Sequence, residues 1–255
     1  MSSETQGVRV EVRGIRKAFK GVEVLKGIDL QVDAGEIFVL MGPSGGGKTV
    51  LLRQIMGLDM PDGGDVMIDG QDVHREGFRD RVRMGMVFQS GALLNSLTVA
   101  ENVGLYLSEH RLQSAHVISR IVAEKLELVG LKDAGDKLPG ELSGGMRKRA
   151  AIARALVMEP QILLYDEPTS ELDPLRSVTI GREIRALNQR LGVTSILVTH
   201  DRDLACGIAN RIAFMHDGKV IFIGTPAALK ACTEPVVRSF LTIDFDSSAP
   251  VIEPP

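Results

Sequence analysis

The residues best suited to chemistry begin with a glycine-rich run, GPSGGGKT, at Gly42–Thr49. It follows the apolar run Ile37–Met41, which is typical of a strand buried on both faces, and it precedes an apolar helical pattern. Glycines let backbone N–H groups turn inward around phosphate oxygens, and a helix N-terminus adds a favourable dipole. We therefore predict a phosphate loop here, in which Lys48 contacts the β- and γ-phosphates and the Thr49 hydroxyl ligates Mg²⁺. The residues predicted to hold the nucleotide phosphates are Gly42, Pro43, Ser44, Gly45, Gly46, Gly47, Lys48 and Thr49.

Two carboxylates, Asp166 and Glu167, directly follow a second apolar run, Ile162–Tyr165. In open α/β sheets, ligands bind at the edge formed by the carboxyl ends of the strands. Asp166 is predicted to hold Mg²⁺ through its water shell, and Glu167 to orient and polarise an attacking water. An exposed acidic turn is the alternative interpretation, but the presence of a phosphate loop in the same chain favours the catalytic one.

A second glycine-containing turn, LSGG at Leu142–Gly145, precedes another helical pattern that runs to Met158. Ser143 is a good N-cap residue, and Gly144 and Gly145 open the backbone. Because the chain already supplies one phosphate cradle, a second anion-binding helix start is useful if it closes over the nucleotide of another copy. The basic residues that follow, Arg147, Lys148 and Arg149, are interpreted as a solvated helix face rather than as phosphate ligands.

Two polar residues each follow a predicted strand. Gln89 comes after Met84–Phe88 and is placed to reach Mg²⁺ or the attacking water, although a lone glutamine there is ordinarily a loop residue. His200 comes after Ser195–Thr199, and at the ligand edge of the sheet it is predicted to contact the γ-phosphate and to hold Glu167 and water in place. A structural histidine is the alternative.

These residues are positioned by strand patterns that alternate with helical ones, which indicates a largely parallel sheet with helices on its faces. The segment from about residue 90 to 159 has helical periodicity and is interpreted as an inserted helical lobe. A long helix is predicted at Pro174–Leu191, and the polar, proline-rich tail after Phe245 is expected to be flexible. The other predicted strands are Val8–Val12, Val22–Val32, Asp65–Ile68, Ile212–Met215 and Val220–Ile223.

Composition narrows the function classes. Of 255 residues, 44% are apolar and 25% charged, and the net charge of −3 gives no support for binding nucleic acid. The apolar runs are strand-length, whereas a membrane-spanning helix needs about 20 apolar residues. Met1–Gly7 is polar and offers no signal peptide, and Cys206 and Cys232 follow no metal or disulfide pattern. We expect a reduced, cytosolic compartment, with any membrane role carried by a partner.

Taken in order, these motifs resemble the ABC-transporter ATPase family from about Val8 to Leu241, and LSGG is the feature that makes the resemblance specific. The resemblance implies that Gly42–Thr49 is the Walker A loop, Gln89 the Q-loop residue and Leu142–Met146 the signature that contacts the other subunit's ATP. It implies Walker B roles for Asp166 (magnesium) and Glu167 (catalysis), a D-loop at Ser170–Asp173 and a switch role for His200. Phe19 falls where the family usually has a tyrosine that stacks on adenine. Met146 and Glu171 depart from the common glutamine and glycine, and neither removes a catalytic group.

The same resemblance implies the P-loop ABC-ATPase fold. It has a mostly parallel sheet, a small antiparallel N-terminal sheet and the inserted helical lobe. The predicted division is one ATPase domain at 1–245, with a core at 1–89 and 160–245, a helical lobe at about 90–159, and a tail at 246–255. ATP and Mg²⁺ are the expected ligands. A homodimer beneath integral-membrane permease subunits is the expected assembly.

A narrower resemblance is carried by FQSGALLNSLTVAENVGLYLSEH, LSGGMRKRAAIARAL and VVRSFL. They are similar to the ATPases of the Mla and Mce-type phospholipid transporters, also described as organic-solvent or toluene tolerance proteins. This implies a periplasmic Mce-domain partner, a possible small regulatory subunit, and a peripheral place on the cytoplasmic side of the bacterial inner membrane. The alternatives are the ATPase of an amino-acid or lipoprotein transporter, a soluble ABC protein of translation or DNA repair, and a non-catalytic regulator.

Two apolar sets remain open to a binding role. Leu93, Leu94 and Leu97 are expected either to form a groove for a permease helix or to pack inside the helical lobe. Val236, Val237, Phe240 and Leu241 offer an apolar face for an arm that docks on the partner subunit, with disorder as the alternative for the last residues.

Overall fold

The computed structural model of the chain describes residues 7–242. Within this range it forms ten β-strands and nine α-helices. The strands are β1 Val10–Phe19, β2 Val22–Val32, β3 Ile37–Met41, β4 Gly63–Ile68, β5 Gln71–Asp72, β6 Met84–Val87, β7 Ile162–Asp166, β8 Thr194–Thr199, β9 Arg211–His216 and β10 Lys219–Gly224. The helices are α1 Lys48–Ile55, α2 Phe78–Arg81, α3 Val99–Glu109, α4 Ala115–Leu128, α5 Gly144–Leu156, α6 Pro174–Leu191, α7 Arg202–Ile208, α8 Pro226–Lys230 and α9 Pro235–Thr242. The tail predicted at 246–255 lies outside the described residues. No helix within residues 7–242 has the length and apolar character needed to cross a bilayer.

The central sheet has six strands in the order β10-β9-β3-β8-β7-β6. The neighbours from β9 to β6 run parallel, and only β10 pairs antiparallel. The carboxyl ends of β3, β6, β7 and β8 therefore meet at one edge. This arrangement confirms the predicted mostly parallel α/β fold and brings the chemistry-bearing segments together.

A second sheet, antiparallel and ordered β2-β1-β4-β5, confirms the small N-terminal sheet. Its first strand is longer than the predicted Val8–Val12, because β1 continues to Phe19. The register with β2 shifts between Val12 and Ile15, and Gly14 there has a φ of 56°. Such a bulge resets the alternation of side chains, so the two-residue pattern breaks although the strand does not.

The central sheet is buried on both faces. Along β3, Phe38 and Leu40 join a hydrophobic core with α1 and the antiparallel sheet, while Val39 and Met41 join one with α3 to α7. This two-sided burial is what the continuous apolar run Ile37–Met41 predicts. Helices α3, α4 and α5 lie between β6 and β7 along the chain, in the segment predicted to form the helical lobe.

The apolar residues near the C-terminus pack on their own chain. Val237 of α9 is buried, and the ring of Phe240 meets Phe214 of β9 edge-to-face with centroids 5.1 Å apart. The Arg202 guanidinium, in the first turn of α7, donates to the carbonyl of Leu241. The face suggested above for docking on another subunit is thus largely used within this chain.

Candidate functional site

The glycine-rich loop Gly42–Thr49, predicted to be a phosphate loop, turns sharply between β3 and α1. Gly42 has a φ of 148°, and a Cβ there would lie 2.1 Å from the carbonyl oxygen of Met215. Gly47 has a φ of 89°, and a Cβ there would lie 2.9 Å from Leu25 of β2. These two positions require glycine both for conformation and for space. Neighbouring Pro43, Ser44, Gly45 and Gly46 complete the turn, in which the Gly46 N–H donates to the Pro43 carbonyl.

Lys48 opens α1 and is only 6% exposed. Its ammonium donates to the carbonyl oxygens of Gly42 at 2.9 Å and Pro43 at 2.8 Å. Burial lowers the pKa of Lys48, while the carboxylates of Glu167 and Asp166 oppose that shift. A cation held inside the loop is suited to binding a phosphate group.

Thr49 and Asp166 lie together although they are far apart in the sequence. The Thr49 hydroxyl donates to Asp166 Oδ1 at 3.0 Å. Burial raises the pKa of Asp166, and the bond from Thr49 counteracts this. A hydroxyl next to a carboxylate supplies the oxygen ligands that Mg²⁺ prefers. Among the described residues no group of three or more His, Cys, Asp and Glu side chains forms a metal cage, so such an ion would also need phosphate or water ligands.

Glu167 lies one residue past β7 with a φ of 48°, in the left-handed region that is unfavourable for a residue with a side chain. Its N–H donates to the Val198 carbonyl at 2.9 Å. One carboxylate oxygen lies 2.9 Å from Nδ1 of His200, and the other accepts from the Thr199 hydroxyl at 3.3 Å. The structure thus brings Glu167 and His200 into contact, as the sequence predicts. Thr199 is a contact that sequence reasoning missed, and its only signal was its place just before His200.

Gln89 sits two residues past the end of β6, the strand next to β7. Its side chain is exposed, and its backbone carbonyl accepts a hydrogen bond from Lys148. The structure therefore places Gln89 at the correct edge of the sheet. Within residues 7–242, Gln89 forms its hydrogen bond through this backbone carbonyl. The group predicted to reach Mg²⁺ or the attacking water is its side-chain amide.

Ser143 caps α5, and its hydroxyl accepts from the N–H of Met146 at 3.3 Å. Gly144 and Gly145 form the first turn, beside the segment Ser170–Asp173: a Cβ on Gly144 would lie 3.1 Å from Leu172. Ser143 is exposed, so this helix start faces outward and is accessible to a ligand held elsewhere.

The interpretation of Arg147, Lys148 and Arg149 as a solvated face is wrong for Lys148, which is 6% exposed. Successive residues on a helix point about 100° apart, so one of three basic neighbours can face inward while the others do not. Arg147 is exposed and Arg149 half-buried, 3.9 Å from the carboxylate of Glu183 on α6.

Phe19 ends β1 and is 46% exposed. The Lys17 ammonium lies 5.6 Å from the centre of its ring and also pairs with Asp62 at 2.9 Å. The next strand, β2, contacts the phosphate loop through Val24 and Leu25. An exposed aromatic ring is therefore available on the sheet that packs against the loop.

Comparison with known proteins gives one family. The ABC transporter family is matched by residues 25–170. The probable ribonucleotide transport ATP-binding protein mkl of Mycobacterium leprae is 41% identical over 239 residues, which cover 92% of this chain and 69% of that protein. The sulfate/thiosulfate import ATP-binding protein CysA of Bradyrhizobium diazoefficiens is 45% identical over 221 residues, which cover 85% of this chain and 64% of that protein.

Two solved structures are similar over most of the chain. The ATP-binding cassette MJ0796, solved as a dimer in a post-hydrolysis state with ADP and Pi, has a TM-score of 0.76 and 33% identity, covering 85% of this chain and 98% of that one. CbiO1 from Clostridium perfringens, part of the ABC transporter complex cbiONQ, has a TM-score of 0.80 and 30% identity, covering 92% and 95%.

Proposed function

This chain belongs to the ABC transporter family of ATP-binding subunits, and from that premise we propose that two copies of it hydrolyse ATP to power a membrane permease. The observation that carries the proposal is the cluster at the carboxyl edge of the parallel sheet. Five side chains come together there: Lys48, Thr49, Asp166, Glu167 and His200. The Thr49 hydroxyl lies 3.0 Å from Asp166, and His200 Nδ1 lies 2.9 Å from Glu167.

Each residue of the cluster has a distinct part in the proposed chemistry. Lys48 neutralises the β- and γ-phosphates, while backbone N–H groups of the phosphate loop cradle them. Glu167 orients and polarises the attacking water, and His200 holds Glu167 and contacts the γ-phosphate. Thr49, Asp166 and Gln89 would hold Mg²⁺, which neutralises charge on the phosphates when it is bound. Phe19 would stack on the adenine.

We place the second half of each site on another copy of the chain. The start of α5 at Ser143 is exposed, and the N-terminus of this 13-residue helix is suited to an anion. A head-to-tail pair with two-fold symmetry would bring each Ser143 and Gly145 to the ATP held by the other chain's Lys48. The dimer of the similar cassette MJ0796 supports this arrangement.

Complementation tests the shared site. A Ser143→Arg chain keeps its Lys48 but blocks its partner's ATP, whereas a Lys48→Ala chain has the reverse defect. Each variant alone should be inactive. An equal mixture should recover about a quarter of the wild-type activity, because about half the dimers are mixed and each has one intact site of two.

A matched control is Ser114→Arg, which alters the exposed serine at the N-cap position of α4 and should leave hydrolysis unchanged. Full activity of Ser143→Arg alone would contradict the shared site. An inactive mixture of two variants that still exchange subunits would contradict it as well.

The permease would dock on the segment after Gln89. Leu93 packs against the hydrophobic core, which agrees with the alternative that this set packs inside the helical lobe. Leu94, by contrast, is 46% exposed, and Leu97 is half-buried. Leu94 is therefore the residue of this set that remains available for a permease helix. CbiO1, which is part of a transporter complex, supports a permease-bound assembly. We place the chain peripherally on the cytoplasmic side of the bacterial inner membrane.

For the cargo, we propose phospholipid, moved with a periplasmic Mce-domain protein and, in some assemblies, a small regulatory subunit on the helical lobe. The support is the sequence likeness of FQSGALLNSLTVAENVGLYLSEH and LSGGMRKRAAIARAL to that branch. The second candidate is an importer of another solute, favoured by the 45% identity to a sulfate/thiosulfate import protein. Purifying the native complex and identifying its bound molecule separates them: phospholipid and an Mce-domain protein support the first, and a complex without either rejects it.

A further inference from the structure

Lys148 is a buried cation that none of the proposed steps uses. It lies on α5, five residues after the Ser143 cap, and its side chain reaches out of the helical lobe toward the central sheet. Burial lowers the pKa of this ammonium, with the carboxylates of Glu171 and Glu167 opposing the shift. A buried lysine is costly unless its donors are satisfied, so its surroundings indicate what it does.

Three oxygens from the loops at the catalytic edge surround the Lys148 ammonium. It donates to the backbone carbonyl of Gln89 and to the Ser170 hydroxyl at 3.2 Å, and it lies 3.5 Å from the backbone carbonyl of Glu167. The Ser170 hydroxyl in turn donates to that same Glu167 carbonyl at 2.9 Å. An ammonium has three N–H donors, and here they are directed at the Q-loop, the Walker B turn and the D-loop.

The Glu167 turn needs such support. Its left-handed backbone costs about 1–2 kcal/mol and persists only where neighbouring groups over-determine it. The Glu167 N–H donates to the Val198 carbonyl of β8. The Glu167 carbonyl accepts from the Ser170 N–H at 3.1 Å and from the Ser170 hydroxyl at 2.9 Å, and the Lys148 ammonium lies 3.5 Å from it. The direction of the carboxylate follows from this backbone geometry. A change of about 1 Å in such a group can lower a rate about 10²-fold.

We propose that Lys148 is a positioning residue for hydrolysis: it ties the Gln89 segment and the Glu167–Ser170 turn to the signature helix α5. Because α5 also carries Ser143, movement of the signature is transmitted through one side chain to the backbone of the catalytic carboxylate. The inference rests on the proposed role of Glu167 and adds a residue that links a chain's own Glu167 to the Ser143 helix start that the same chain contributes to its partner's site.

Steady-state kinetics of full-length Lys148→Met test this role. Methionine approximates the length of lysine without its charge or donors. We expect kcat to fall about 10²-fold, by misplacement of Glu167. The KM for ATP and the affinity for ATP should stay within about two-fold, because the Lys48 loop is untouched.

Ser170→Ala should lower kcat as well, and the double variant should be less impaired than the product of the two effects, because both act on the same carbonyl. Lys125→Met is the matched control: Lys125 is another buried lysine of the helical lobe, 8% exposed, which pairs with Glu124 and Glu159 instead of the catalytic loops. Its kcat should remain that of the wild type.

The inference is overturned if Lys148→Met keeps a kcat within about two-fold of Lys125→Met, or if its loss only matches the unfolded fraction in thermal melts. Should Lys148→Met not fold, Lys148→Gln and Ser170→Ala are judged by the same split between kcat and KM. Glu167→Gln is measured alongside. If Glu167→Gln is inactive while Lys148→Met is normal, only this inference fails, whereas an active Glu167→Gln rejects both it and the proposed catalytic role.

Discussion

Replacing Glu167 with glutamine separates the chemistry of the site from its architecture. Glutamine has nearly the same shape, so its amide oxygen can still accept from the Thr199 hydroxyl, 3.3 Å away in the wild type. The backbone bond from Glu167 to Val198 is unaffected. The substitution removes the negative charge. It also replaces one of the two acceptor oxygens, the one 2.9 Å from Nδ1 of His200, with an amide NH₂ group.

The expected loss follows from what that charge does. A positioned general base is worth about 10²–10⁴ in rate. This corresponds to about 3–5 kcal/mol of activation free energy, at 1.36 kcal/mol for each factor of ten. ATP affinity should not fall, because the carboxylate of Glu167 attracts the Lys48 ammonium that the phosphates must bind. The variant should therefore accumulate as an ATP-bound dimer.

Phosphate release at saturating ATP and Mg²⁺ measures the rate, equilibrium dialysis measures affinity, and light scattering measures the mass with and without ATP. Glu76→Gln, which neutralises an exposed carboxylate outside the site, is the control for the loss of one charge. Turnover of Glu167→Gln at more than about a tenth of the wild-type rate would refute the general-base assignment.

Three further outcomes are expected. Phe19→Ala should weaken ATP binding about tenfold, as the loss of one aromatic stack does, with kcat unchanged; equal affinity for ATP in a titration would exclude stacking. Leu94→Glu should leave ATP hydrolysis and folding intact but release the permease in co-purification, and retained permease would count against docking there. Burial raises the pKa of Glu183, so its ionisation costs stability above the unfolded pKa of about 4.3. Glu183→Gln should therefore raise the free energy of unfolding at pH 7 and lose this advantage in acid, as thermal melts at both pH values can check.

The catalytic edge could be predicted because each of its residues follows directly on a buried apolar strand. Ile37–Met41 leads into the phosphate loop, and Ile162–Tyr165 leads into Asp166 and Glu167. Parallel strands bring their carboxyl ends to one edge, so pattern and topology together imply the contact between Thr49 and Asp166. The assignment of catalytic roles to these residues stays a prediction.

The orientation of Lys148 could not be predicted, because its position among three basic residues gives no local sign of which one faces inward. It is decided by the Gln89 carbonyl, 59 residues away in the chain, and by the Ser170 hydroxyl. Helix α9 was missed for a similar reason. Its apolar residues indicate that the segment packs against another surface. They do not indicate which one, because Phe240 packs against Phe214 on β9, which is distant in the sequence.

The packing of α9 determines where this protein can be shortened. A deletion that stops after Thr242 keeps both the Phe240–Phe214 contact and the Leu241 carbonyl that receives Arg202. A deletion only two residues longer removes that carbonyl, and Arg202 stands two positions after His200. A cut inside α9 thus removes a contact made two residues from His200, so a loss of activity in such a variant should not be read as evidence for a binding function of the missing tail.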